Sequence, residues 1–226
     1  MKKTTAILLT ALAIPVFAAE TKVTGTLIDF QAQAQRTAPN DLGRAVAYFE
    51  TNSAHPADLA NKVNTVIAAA LVMAKNHPAV KVRTGSSQTF PIYAKNSRSI
   101  ESWRMRSELL LESRDAAALS ELVGKLQSSL AVGNIGFAPA PETRRKIEDD
   151  TAVDAIGNFS EKALRYASSL KKRYRIVSMN IGTQGAVSPA PSFRAMAMVA
   201  DSAPMPVEAG ESQITVTVNG QIELTD

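Results

Sequence analysis

Between Trp103 and Leu130 the spacing of apolar positions changes from two residues to three and four, which predicts a strand delivered directly into a helix. Trp103, Met105, Leu109 and Leu111 alternate with Arg104, Arg106, Glu108 and Glu112, the pattern of a strand with one buried and one wet face. Leu119, Leu122, Val123, Leu126 and Leu130 then recur at helical steps, and Asp115 stands where its carboxylate can cap the first turn. The result is a sheet-and-helix unit of two layers.

The same reading extends along the chain. Lys22 to Gln35 and Ala45 to Asn52 predict two strands joined by TAPNDLG, with Pro39, Asn40 and Gly43 supplying the reversal. A helix begins at Pro56, buries Leu59, Val63, Val66, Ile67, Ala70, Leu71 and Met73, and stops at Asn76 and His77-Pro78. Val80 to Ile92 forms the next strand, and the KNSRS turn makes a hairpin of it with the Trp103 strand.

After the Asp115 helix, Ala131 to Ala138 predicts a short strand ended by Pro139 and Pro141. A long helix follows from Glu142 to Lys172, with Ile147, Val153, Ile156, Phe159, Ala163, Leu164, Ala167 and Leu170 on its inner side. Its acids stand early and its bases late, as the helix dipole prefers. Arg173 to Gly182 is a further strand with Val177, Met179 and Ile181 on one face, and Thr183 to Gly210 has no sustained period and predicts an extended linker.

The last strand has the cleanest alternation. Ile214, Val216, Val218, Ile222 and Leu224 point one way and Gln213, Thr215, Thr217, Asn219, Gln221 and Glu223 the other. Such a strand needs a partner, and the free edge of the Lys22 strand is the economical one. The predicted fold class is therefore α+β, with two small two-layer α/β sandwich domains, the second inserted into the first. Residues 19–95 and 211–226 form the first domain, 96–182 the second and 183–210 the linker.

The N-terminus changes the picture from fold to location. Lys2 and Lys3 precede the apolar run Ala6 to Phe17, too short for a bilayer of about 30 Å and suited to a signal-peptide core. Val16 and Ala18 supply the small residues of a cleavage site, so residues 1–18 are predicted to be a signal peptide cut after Ala18 and the mature chain to be periplasmic. No Cys follows for lipid attachment, and no later segment is expected to approach the roughly 18 apolar residues of a transmembrane helix. With no Cys at all, disulfides and thiol redox chemistry are excluded.

Charge excludes a further class. The chain carries 25 Lys and Arg against 21 Asp and Glu, and two of the bases leave with the signal peptide. The small remaining excess, without interleaved aromatic residues, predicts no nucleic-acid partner.

Candidate chemistry is sparse. His55 and His77 bracket the first helix without a recognised zinc spacing, no GxSxG elbow supports a serine nucleophile, and the glycines form no phosphate loop, so no catalytic residue, metal or cofactor is predicted. Arg104, Arg106, Glu108 and Glu112 place both charge signs on one strand face, either an oligomer seam or a solvated face. ETRRKIEDD could meet such a seam or simply cross-link its own helix at four-residue spacing. Met196, Met198 and Met205 could bind Cu(I), act as sacrificial thioethers, or fill a packed surface.

WRMRSELLLESRD, PETRRKIEDD and KKRYRIVSMNIG, with HPAVKVRTGSSQTFPIY before and VEAGESQITVTVNGQIEL after them, resemble the SIMPL-domain family, which includes periplasmic immunogenic proteins of Gram-negative bacteria. The resemblance spans essentially all of the mature chain. It implies a two-layer α+β pattern, an association with tolerance of oxidative stress, and ring-like self-assembly, with no established biochemical activity. The expected function is thus a non-enzymatic envelope component that self-associates or binds an envelope protein; an enzyme with a site between the two domains is the alternative.

Overall fold

The computed structural model describes residues 25–95, 98–187 and 208–226. Among them the chain orders β1 (Leu27–Pro39), β2 (Leu42–Ser53), α1 (Pro56–Ala74), β3 (Lys81–Tyr93), β4 (Ile100–Ser113), α2 (Ala116–Leu126), β5 (Ala131–Ala138), α3 (Pro141–Ser169), β6 (Arg173–Val187) and β7 (Glu211–Thr225). The fold is α+β, with two antiparallel sheets and three helices among the described residues.

The four-stranded sheet has the order β3-β4-β2-β5. Its strands and helices follow one another as β-α-β-β-α-β, the ferredoxin-like arrangement, and α1 and α2 both cover one face. That face buries Ala45, Ala47, Leu109 and Leu111 against Val63, Ile67, Ala70, Leu119, Leu122, Val123 and Leu126. The Asp115 carboxylate accepts the Ala118 N–H at 2.9 Å, the cap expected from sequence. α1 is long enough to cross a membrane, with a mean hydropathy of 1.2, contrary to the expectation that no later segment would approach that length. Here its Leu59, Val63, Ile67 and Ala70 stripe is the core of this layer.

The three-stranded sheet has the order β1-β7-β6. The final strand pairs antiparallel with β1, in register from Leu27↔Glu223 at one end to Pro39↔Glu211 at the other, so the expected partner is the observed one. It also pairs with β6 and is therefore the middle strand. α3 lies across this sheet and buries Ala155, Phe159, Ala163 and Ala167 against Val216, Val218, Ile222 and Leu224.

Several expectations are corrected. β1 and β2 do not form a hairpin: they enter different sheets, and the reversal shrinks to Asn40 and Asp41. The inserted segment is consequently residues 42–138, and the β3–β4 hairpin runs straight across the boundary drawn between 95 and 96. Backbone pairing decides the layers, and the alternation of each strand fits either sheet.

On α3, Val153, Leu164 and Leu170 are more than half exposed; small residues face the sheet and let the helix approach closely. Phe159 fills a notch at Gly220, where an added Cβ would lie 2.6 Å from the Ser178 carbonyl and 2.7 Å from the Phe159 ring. On β6 the pairing shifts between Ile176 and Ser178, so Val177 sits in a bulge and Ile176, not Val177, shares a face with Met179 and Ile181. The predicted linker is also shorter at its start, since β6 continues to Val187.

Candidate functional surfaces

With α1 and α2 on one side, the other face of the four-stranded sheet is left uncovered by any described element, and this is where Arg104, Arg106, Glu108 and Glu112 stand. Cross-strand register puts them beside β2: Arg44 faces Glu112, Tyr48 faces Glu108, Glu50 faces Arg106 and Asn52 faces Arg104. The charges pair within the sheet. Arg44 bonds Glu112 at 2.9 Å, Arg106 bonds Glu108 at 3.0 Å, and Arg104 lies 3.6 Å from Glu50. The Arg106 guanidinium also lies 3.7 Å above the Tyr48 ring. Exposed pairs of this kind contribute little stability each, yet they hold both charge signs in a fixed pattern across one face.

ETRRKIEDD opens α3. Arg144 bonds Glu148 at 2.7 Å within the helix, the internal cross-link expected for a helix start. Asp150 and Asp154, further along, hold Arg36 of β1 at 3.6 and 2.6 Å. Beyond Glu142 this run therefore braces its own layer, and no part of it is brought to the charged sheet face.

The junction between layers was not anticipated from sequence. Chain crosses from one layer to the other at Asn40–Asp41 and again at Pro139–Ala140. Asn40 is buried and belongs to the three-stranded layer: its N–H donates to the Gly210 carbonyl, its amide donates to the Ala209 carbonyl, and its Oδ1 accepts the Ser212 hydroxyl at 2.6 Å. Asp41 joins the second crossing to the first. Its carboxylate accepts the Ala140 N–H and the Thr143 hydroxyl, both at 2.7 Å, and so caps α3, whose own N-cap residue Ala140 has no side chain to do it.

Arg114, in the turn after β4, reaches Asp41 at 3.4 Å and pairs with Glu142 in the first turn of α3. Burial raises the Asp41 pKa, but the Ala140 and Thr143 hydrogen bonds and the Arg114 charge outweigh it and hold the carboxyl below its ordinary value. The sequence signal was present only as turn chemistry in PNDLG.

The outer face of the three-stranded sheet is polar. Gln31, Asn219 and Asn180 form one row across it by register, with Asp29, Gln221 and Ser178 beside them. Gln221 donates to Asp29 at 2.9 Å and Gln213 to Gln35 at 3.0 Å. At its end Glu223, almost fully buried, pairs with Arg175 and accepts the Gly25 N–H at 2.8 Å. Alternation placed Glu223 on the wet side of its strand; the cover comes from a preceding segment that its period cannot reveal.

His77 stands 3.2 Å from Lys125, and no group of three or more His, Asp or Glu suited to a metal ion occurs among the described residues. Met196, Met198 and Met205 lie outside the described residues.

Among curated proteins none matches the chain. Solved structures similar in part include a hydantoinase/carbamoylase-family amidase from Burkholderia multivorans, at 18% identity, TM-score 0.25, covering 47% of this chain and 28% of that one. A second is a putative amidohydrolase/peptidase from Burkholderia cenocepacia, at 16% identity, TM-score 0.26, covering 59% and 36%. The chain thus spans well under half the length of these structures. A family model matches residues 28–222, nearly the whole described chain from β1 to β7, and on that match the chain belongs to the SIMPL family, described as a protein of unknown function (DUF541).

Proposed function

We propose that this SIMPL-family chain is an exported, periplasmic, non-enzymatic envelope component that self-associates or binds an envelope protein, with a link to stress tolerance. The observation that carries the reading is the charged face of the four-stranded sheet. Arg104, Arg106, Glu108 and Glu112 sit with Arg44 and Glu50 on one open surface carrying both signs in register. Such a surface favours complementary contact with a copy or a partner. Export is supported by the charged start, short apolar run and small residues before Ala19, and stress tolerance by the resemblance to periplasmic SIMPL proteins alone.

Light scattering at low and high salt tests the assembly. At about 1 M salt the screening length falls to about 3 Å, so species held by these charges shift to smaller mass. Arg104→Glu with Arg106→Glu is expected to reduce the assembled fraction while leaving the fold intact. A monomer at all micromolar concentrations removes self-association, and an oligomer indifferent to both salt and charge reversal places its interface elsewhere. Mass spectrometry of periplasmic protein checks export, with Ala19 expected as the first residue and an intact Met1 ruling it out.

A further inference from the structure

The open face of the four-stranded sheet changes character toward the Lys81 end of β3. Two rows cross it there by register: Lys81 faces Glu112, which faces Arg44, and Arg83 faces Leu110, which faces Val46. These residues line a cavity of about 310 Å³, at the low end of the size range of small-molecule sites. Leu110 and Val46 are half-buried and form its apolar floor. Glycines leave room around it. On β3 Gly85 adjoins the floor, where an added Cβ would lie 3.1 Å from the Leu110 Cγ, and on β5 Gly136 faces Arg44, where an added Cβ would meet nothing within 4 Å.

The charges around the floor do not balance. Arg44, Lys81 and Arg83 stand against Glu112, and Glu112 is held by Arg44 at 2.9 Å. Lys81 and Arg83 are exposed and have no ion pair or side-chain hydrogen bond among the described residues, whereas Arg104 and Arg106 on the same face are engaged by Glu50 and Glu108. Glu108, the next acid along β4 on this face, is occupied by Arg106 and by the Ser86 hydroxyl at 2.9 Å. Two uncommitted cations beside a half-buried apolar floor match a ligand that carries both an acidic group and a hydrocarbon body. Inorganic phosphate would leave the floor uncovered, and an uncharged hydrocarbon would leave the cations without a partner.

We infer that this cavity on the open face of the four-stranded sheet is a binding site for a small organic carboxylate with an apolar body, whose carboxylate lies on Lys81 and Arg83 and whose hydrocarbon part lies over Val46 and Leu110. The carboxylate accepts charge-assisted hydrogen bonds from the Lys81 ammonium and the Arg83 guanidinium, and the apolar area removed from water at the floor adds to them. The site goes beyond the assembly proposed above, since Lys81, Arg83, Val46 and Leu110 take no part in the ion pairs on which that reading rests.

Titration calorimetry tests the site with octanoate as the probe, on the chain beginning at Ala19, which retains every described element. Expected is saturable binding of one octanoate per chain at millimolar or lower concentration. Shorter carboxylates such as butanoate should bind more weakly, by up to about fourfold for each methylene lost from the floor. Octanol, which lacks the charge, and inorganic phosphate, which lacks the chain, should each bind at least about tenfold more weakly than octanoate.

Lys81→Gln with Arg83→Gln should weaken octanoate binding at least about tenfold, since two charge-assisted hydrogen bonds are lost; both side chains are exposed, so an unchanged melting curve is expected. Leu110→Gln should weaken octanoate and remove its advantage over butanoate, and where that variant melts early the surface pair decides alone. Absence of saturable octanoate binding by the wild type at millimolar concentration, or binding that the Lys81→Gln, Arg83→Gln pair leaves unchanged, overturns the inference. So does a pair variant whose one effect is a smaller mass in light scattering, which would assign the two cations to an acidic surface of a second copy. An unchanged mass with octanoate binding lost supports the site, whether or not the chain assembles.

Discussion

Asp41 holds together more of the molecule than its place in a two-residue turn suggests. One carboxylate caps a helix whose N-cap residue lies 99 residues later and meets a guanidinium from the other layer. Asp41→Ala is expected to cost about 1 kcal/mol, the usual loss for a helix cap, read as a lower midpoint in denaturant. The pH dependence has a definite sign. Because the folded pKa lies below the unfolded one, the stabilisation is fully present above the ordinary aspartate value and is lost as pH falls through the folded value. The difference in melting temperature between wild type and Asp41→Asn should therefore be largest near neutrality and shrink below about pH 4; a difference constant from pH 7 to pH 3 would show that the charge is irrelevant.

Gly220 gives a sharper steric test at the same scale. A methyl group there meets the Phe159 ring and the Ser178 carbonyl, and of these the carbonyl belongs to a paired strand that cannot move aside. Gly220→Ala is expected to destabilise by about 1 to 3 kcal/mol, the range for overpacking, with calorimetry as the check.

Among the elements, β7 carries the greatest consequence. Ile214, Val216, Val218 and Ile222 are fully buried, and the strand is paired on both sides. A chain ending at Gly210 loses the middle of a sheet, so β1 and β6 lose their shared partner and α3 loses its floor. Aggregation or a large fall in melting temperature is expected; a soluble truncated protein with an unchanged melting temperature would refute this account of the sheet.

The same strand shows why some elements were legible from sequence and others were not. Its alternation is complete over five apolar positions, so the element and its inward face could be read directly. The inner side of α3 could be read only in part: Phe159, Ala163 and Ala167 are buried as expected, but hydrophobicity also pointed to the exposed Val153, Leu164 and Leu170, while close approach to the sheet selected Ala155. The bulge at Val177 likewise reversed the facing of half a strand without a mark in composition. The charged row Arg104, Arg106, Glu108 and Glu112 was legible as a face. Beside the Arg106–Glu108 pair within β4, the partners that occupy it, Arg44 and Glu50, come from β2, whose pairing with β4 no local pattern specifies.

For the whole molecule, the two layers are separately cored and connected through two short crossings. Asp41 and Arg114 bridge those crossings at hydrogen-bond range, which makes the junction the place where relative orientation is set. Arg114→Ala removes the contact from the four-stranded layer and leaves both cores intact. Its expected effect is a change in the small-angle scattering profile or in protease susceptibility near residues 39–42 and 138–141, with little change in melting temperature; an unchanged profile and cleavage pattern would show that the crossings alone fix the arrangement.

The pairing of Leu27 with Glu223 also sets a timetable. A ribosome that has finished β5 has already supplied everything the four-stranded layer needs, whereas β1, made before any of it, waits for the last residues of the chain before its neighbour exists. Closing so long a loop is slow compared with local hairpin formation. The opening strand therefore spends the whole of synthesis as an unsatisfied edge, and its run of Gln31, Gln33 and Gln35, polar on one side and without a charge until Arg36, is the part of this protein that a holding chaperone would have reason to grip.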